Sequence, residues 1–182
     1  GVASGLAYLH QADVVHGDMK SDNILISSRG TPLLVDFGIS RTLVVTQVVS
    51  GLQALMGSVR WMAEELVNPN GYLGNEQTDI WAFGMVIYEL LTCAHPFNGL
   101  SEIQAWLTIA KGERPQAPID MDQKALRQSL WTLCNVCWGD PDDQLPMKDV
   151  VLGLNNQILV RPIVQSLVLS IKGSSDPSRN MY

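Results

Sequence analysis

Residues 16–38 read "HGDMKSDNILISSRGTPLLVDFG". A polar loop carries Asp18, Lys20 and Asn23. Two short apolar, β-branched runs, "ILIS" and "LLVDF", then flank a Ser-Arg-Gly-Thr-Pro turn, which is the pattern of a β-hairpin. Asp36 lies at the end of the second run, so the hairpin is expected to bring it towards Asn23.

These residue types share a chemistry. Asn23 and Asp36 offer hard oxygen ligands with few carboxylates, a set that suits Mg²⁺ together with its waters and a substrate's phosphates. Lys20 matches phosphate charge. Asp18 suits a general base that orients a hydroxyl. Together they describe phosphoryl transfer. Each piece alone is weak, because Asp, Asn and Ser also favour turns for backbone reasons. The ordered set carries the weight: "HxDxKxxN", strand, turn, strand, "DFG", then "GSVRWMAEE" at 57–65 and "DIWAFG" at 79–84.

Outward from this stretch the pattern is helical. "GVASGLAYLHQ" spaces Val2, Leu6 and Leu9 as the end of a helix. Residues 39–60 lack steady periodicity and read as a long loop, of the kind that is usually functional or mobile. "TDIWAFGMVIYELLT" at 78–92 is apolar nearly all round, which predicts a buried helix. Ser101 and Gln104 form a capping box opening a helix to about Lys111. From Asp122 to Trp138, Leu126, Leu130, Leu133, Cys134 and Cys137 share one helical face, and Pro146 suits the first turn of a last helix through "MKDVVLGL". The terminal "KGSSDPSRNMY" has the composition of a disordered tail. The fold class is α+β, mostly α, with one small two-stranded piece.

Composition narrows the setting. With 182 residues and 46% hydrophobic content, the chain suits one domain with a real core. Charged residues are only 16%, which points either to an unusually buried chain or to a surface meant to be covered. A net charge of −6 gives no reason to expect nucleic acid or an anionic membrane as partner. Three cysteines, an odd number, argue against a disulfide framework and for a reducing, cytoplasmic setting. The first basic residue is Lys20, so no signal-peptide n-region is expected. The longest uncharged apolar run, "IWAFGMVIY", is far short of the ~20 residues of a membrane helix. Cys134 and Cys137, without a second pair, read as buried structural cysteines rather than a zinc site. Trp61, Trp81, Trp131 and Trp138 read as core packing.

On these motifs the chain resembles the large lobe of a eukaryotic protein kinase over roughly residues 1–155, with 156–182 an apolar extension and tail. "RWMAEE" and "LWTLCNVCWGDP" are similar to the tyrosine-kinase-like branch, and Lys20 fits a Ser/Thr rather than a Tyr kinase. The resemblance implies ATP and Mg²⁺ as cofactors and a protein substrate. It implies Asp18 as catalytic base, Lys20 on the transferred phosphate, and Asn23 and Asp36 on Mg²⁺. His16 and Phe37 would stack beneath the site, and Asp79 would brace the catalytic loop. Ser58 would line the substrate hydroxyl, with Trp61 in a docking segment at 57–65.

Four departures from the family's pattern go with it. The glycine-rich loop, strand Lys and helix Glu of the small lobe do not occur in these 182 residues, so this chain alone is expected to bind ATP poorly. A small lobe or another chain would then cover the interlobe surface. Gly17 stands where an Arg usually grips a phosphorylated activation loop, so control through Thr42, Thr46, Ser50 or Ser58 is not expected. Glu64 stands for the Pro of the family's docking motif. Glu65 matches that motif's Glu, but its usual Arg partner is Gln144 here and the Pro after it is Leu145. Breaking such a buried pair costs ~3–5 kcal/mol, so Glu65 is more exposed, finds another donor, or leaves the fold weakened. Residues 156–182 match nothing in the family. Two other readings stay open: a non-catalytic, pseudokinase-like binding module, and a small-molecule kinase, for which "HGD" is typical.

Overall fold

The computed structural model describes residues 1–37, 58–68, 74–118 and 125–156. The long loop expected at 39–60, with Thr42, Thr46 and Ser50, falls mostly outside these residues, as do the start of the helix expected at Asp122 and the tail beyond Asn156.

The described elements run α1 (Val2–Gln11), β1 (Ile24–Ile26), β2 (Pro32–Leu34), α2 (Glu64–Val67), α3 (Glu76–Thr92), α4 (Glu102–Ile109), α5 (Ala125–Cys137) and α6 (Met147–Asn156). Two 3₁₀ turns, Ser21–Asn23 and Val59–Trp61, complete them. This is a mostly helical body with one two-stranded antiparallel sheet. No described helix is long and apolar enough to cross a membrane.

α3 is the axis of the core. From Thr78 to Ile87 every side chain is buried, which explains its weak amphipathicity: neighbours cover it on most sides. A reciprocal capping box starts it, with Thr78 N–H donating to Asn75 Oδ1 and Asn75 N–H to Thr78 Oγ1, both at 3.0 Å. Cys93, at φ 53°, ends it in the left-handed region. α5 packs along α3 at very short range. A Cβ on Gly84 would stand 2.7 Å from both Cys137 Cβ and Trp138 Nε1, so only glycine allows the approach. Cys134, Cys137 and Trp138 are fully buried there. Burial pushes the Cys137 thiol up to about 12, so it stays protonated. Trp131, Trp138 and Tyr88 form an aromatic cluster, the two indoles edge-to-face at 5.8 Å.

α1 presents Leu6, Ala7, Leu9 and His10 to this core. Full burial of Leu6 alone contributes about 1.5–3 kcal/mol. α6 packs beside α1 and buries Met147 and Val150.

The hairpin pairs Ile24 with Leu34, Leu25 with Leu33 and Ile26 with Pro32. Gly30, at φ 77°, makes its turn. The second strand is shorter than its apolar run. Val35–Phe37 lie beyond it because Asp36 adopts φ 59°, which no strand accommodates. Pro32 is tolerated as the strand's first residue. Ile24 and Leu34 pack on the core, while Leu25 and Leu33 are about half exposed on the other face. α4 opens with the Ser101–Gln104 capping box and closes at Ile109, two residues before the sequence pattern places its end.

Candidate active site

The loop between α1 and β1 carries the polar cluster, and α3 holds it from below. Asp79, 1% exposed, accepts the backbone N–H groups of His16 (2.7 Å) and Gly17 (2.8 Å) and is 3.0 Å from His10 Nε2. A buried carboxylate needs such partners, because it has lost its water. Gly17 sits at φ 77°, a conformation that favours glycine. The residue that lacks the family's cation is therefore also the one that fits this backbone without strain.

His16 is fully buried. Its Nδ1 accepts the Asp18 N–H at 3.3 Å. Burial lowers its pKa, outweighing the Asp79 and Asp18 carboxylates, so the ring is neutral. Phe37 lies 6.5 Å from it, centroid to centroid, but is 50% exposed, so the stack is closed at His16 and open at Phe37.

Above this floor three residues converge. Lys20 Nζ is 3.1 Å from Asp18 Oδ2 and donates to Ser58 Oγ at 2.8 Å. Asn23 Nδ2 donates to Asp18 O at 2.7 Å and to Asp18 Oδ2 at 3.0 Å. Burial would raise the Asp18 pKa, but hydrogen bonds from Ser58, Lys20 and Asn23 together hold it below its ordinary value. Asp18 is thus an ionised, oriented acceptor beside a fixed cation.

Asn23 spends its amide nitrogen on Asp18, which leaves Oδ1 as its ligand atom. Its own carbonyl accepts the Val35 N–H at 3.1 Å. The hairpin therefore sets Asp36, the next residue, beside the strand end that carries Asn23. Asp36 is exposed and its positive φ turns it out of the strand. Asn23 Oδ1 and the Asp36 carboxylate are hard oxygen donors of the kind that fits Mg²⁺, which keeps waters and shares phosphates. Among the described residues no group of three or more His, Cys, Asp or Glu side chains could hold a metal on its own.

Ser58 and Trp61 are both buried, so Trp61 presents no ring to solvent. Its Nε1 instead donates to Glu89 Oε2 at 3.2 Å. Ser21 Oγ donates to Glu89 Oε1 at 2.8 Å. Glu89 thereby ties the loop that carries Ser21 and the 58–61 segment to α3. Burial raises its pKa despite these bonds. Sequence reasoning passed over Glu89 and His10. A carboxylate inside the apolar run "MVIYELL" was the available signal for the first, since unpaired charges are rarely buried. A histidine on the buried stripe of α1 was the signal for the second.

Glu65 lies apart from this cluster. It lines a cavity of about 200 Å³ with Glu64, Trp81, Arg114, Asp140 and Gln144. Gln144 Nε2 donates to the Cys137 carbonyl at 2.6 Å, not to Glu65. Arg114 stacks over Trp81 at 5.7 Å. Among the described residues Glu65 makes no ion pair; it is partly exposed instead.

A carboxylate, a lysine, an asparagine and a second aspartate held in this order by a loop, a hairpin and a buried helix define a phosphoryl-transfer type of site. Residues 1–150 match the protein kinase domain, and the chain belongs to that family. It is 36% identical over 131 residues to the mitogen-activated protein kinase kinase kinase MST11 of Pyricularia oryzae, covering 68% of this chain and 14% of that protein. It is 32% identical over 146 residues to the serine/threonine/tyrosine-protein kinase HT1 of Arabidopsis thaliana, covering 80% and 35%. A putative serine/threonine-protein kinase/receptor, R818 of Acanthamoeba polyphaga mimivirus, is 33% identical over 159 residues, covering 86% and 9%. The chain thus spans well under half the length of each of these relatives.

Proposed function

We propose that residues 1–155 are the large lobe of a Ser/Thr protein kinase, with the hairpin at its catalytic loop, and that 156–182 are an extension to it. The reaction is transfer of the ATP γ-phosphoryl group to a protein hydroxyl. The observation that carries this reading is the Lys20 bridge, which joins Asp18 to Ser58 through one ammonium. A carboxylate, a cation and a docking-segment hydroxyl joined in this way support a common task on one substrate oxygen.

In this reading Asp18 accepts a hydrogen bond from the substrate hydroxyl and orients its oxygen for in-line attack. Its low pKa makes orientation, rather than early proton capture, its main contribution. Lys20 meets the charge of the transferred group, and Ser58 lines the hydroxyl's approach. Asn23 Oδ1 and Asp36 would hold Mg²⁺, which when bound offsets the phosphate charge. His16 and Asp79 keep the loop's backbone in place, with Phe37 against His16. An intracellular setting belongs to the same proposal and is supported by Cys93, an exposed free thiol.

The docking segment favours a protein over a small-molecule acceptor, because Ser58 and Trp61 are both tied into the site. Phosphate transfer from ATP to Ser/Thr peptides, measured on the full natural protein that carries this sequence, tests the reading. Asp18→Asn is expected to lower kcat by about 10²–10⁴-fold. Transfer to aminoglycosides or choline but not to peptides would overturn it in favour of the small-molecule reading. Absence of any transfer would favour the binding module.

A further inference from the structure

Arg60 lies in the docking segment, between Ser58 and Trp61, and is only 9% exposed. Its guanidinium makes four hydrogen bonds. Nε donates to Glu102 Oε1 at 2.7 Å. Nη1 donates to the carbonyls of Pro96 (3.0 Å) and Phe97 (2.9 Å), and Nη2 to that of Leu100 (2.6 Å). The three carbonyls belong to the loop joining α3 to α4, and Glu102 is the first residue of α4. Phe97 adopts φ 55°, a region that strains a bulky residue, with its carbonyl on Arg60.

We infer that Arg60 is a positioning residue for the protein substrate: it clamps the docking segment to the α3–α4 loop and so sets where a bound peptide lies relative to Asp18. The inference rests on the kinase reading. Among the described residues, the segment's side chains tie it to two neighbours. Ser58 is tied to Lys20 and Trp61 to Glu89, both facing the catalytic loop. Arg60 makes the hydrogen bonds to the α3–α4 loop, where the Trp61 ring also meets His95 edge-on at 5.2 Å. Val59 and Met62 add apolar contact there with Ile109 and Phe97. The task suits arginine specifically, because a planar fork meets several carbonyls and a carboxylate at fixed angles. A lysine keeps the charge facing Glu102 and loses the fork. Arg60 touches no reacting group, so its removal acts on where the peptide sits.

The test uses Arg60→Lys and Arg60→Met in the full natural protein that carries this sequence. The expected result is a rise of about tenfold in KM for a Ser/Thr peptide, with kcat at saturating peptide falling less than about twofold, and Lys rescuing little over Met. Hydrogen exchange on the same full natural protein gives a second readout. The Met62 amide bonds the Val59 carbonyl at 3.0 Å, and its exchange is expected to quicken at least tenfold in Arg60→Lys while amides of α3 stay protected. If Arg60→Lys fails to fold, Glu102→Gln decides, with an expected rise of about threefold in KM; no change in KM there overturns the inference. Wild-type KM in Arg60→Lys also overturns it, as does a kcat loss with KM unchanged. If the wild type phosphorylates no peptide, the kinase reading fails, and the Met62 exchange alone decides Arg60: unchanged exchange overturns its positioning role.

Discussion

The Asp79 carboxylate accepts the backbone N–H of His16 at 2.7 Å, although the two residues lie 63 positions apart. The bond fixes the loop between α1 and β1 to the most deeply buried helix of the core. Replacing Asp79 by Asn keeps the shape but puts an NH₂ group where acceptors are needed. At least one of the donors from His10, His16 and Gly17 is then left without a partner in a dry site. Losing a charge-assisted bond of this kind costs about 1.5–3 kcal/mol. Asp79→Asn is therefore expected to lower the free energy of unfolding by about 2 kcal/mol in urea titration, and a change within experimental error would refute the brace.

His16 makes stability depend on pH. Burial holds its pKa below the ordinary 6.5, so the unfolded chain takes up that proton first and stability falls as pH drops from 6.5 through the folded value. Glu89 acts in the opposite sense. Its pKa is raised above 4.5 by burial, so its contribution is full below 4.5 and is lost as pH rises through the raised value. Asp18, held below 3.8, has a contribution that is lost only as pH falls beneath that value. The difference between wild type and His16→Phe isolates the imidazole. Between pH 7 and 5.5 the wild-type Tm is expected to fall more steeply than the variant's, and parallel curves would count against the assignment.

Gln144→Arg tests the cavity beside Glu65. The space is about 200 Å³ and already carries Glu64, Glu65 and Asp140 on its walls. Glu65 is partly exposed, so the new pair is worth about 1 kcal/mol at most rather than the several of a buried one. That corresponds to a Tm gain of roughly 2–4 °C. The gain is expected to vanish in the Glu65→Gln background; a gain that persists there would assign it to packing.

The polar loop at 16–23 was legible because its residue types and its local structure sit in one continuous stretch. Asp18, Lys20 and Asn23 are neighbours in sequence, and the hairpin that sets Asp36 beside them spans only a dozen residues. Ser58 and Asp79 were reached through the family resemblance, since nothing local marks them. What stayed hidden depends on partners distant in sequence. The anchor of Arg60 requires the α3–α4 loop to turn three carbonyls to one point, and no periodicity encodes that. The end of β2 was misplaced for a local reason: an apolar run continues through Phe37, but the backbone leaves the strand at Asp36. Gln144 turned to the Cys137 carbonyl, a partner that only the packed ends of α5 and α6 could supply.

The tie between Asp79 and the loop between α1 and β1 also has a meaning in time. Asp79 lies 61 residues after Asp18 (79 − 18), so at roughly 5–20 residues per second a ribosome makes it about 3–12 s later. For that interval the growing chain owns its aspartate, lysine and asparagine but not the carboxylate that gives their loop its shape. A half-made chain therefore carries this polar loop without the brace that shapes it. The delay is written into the order of the sequence.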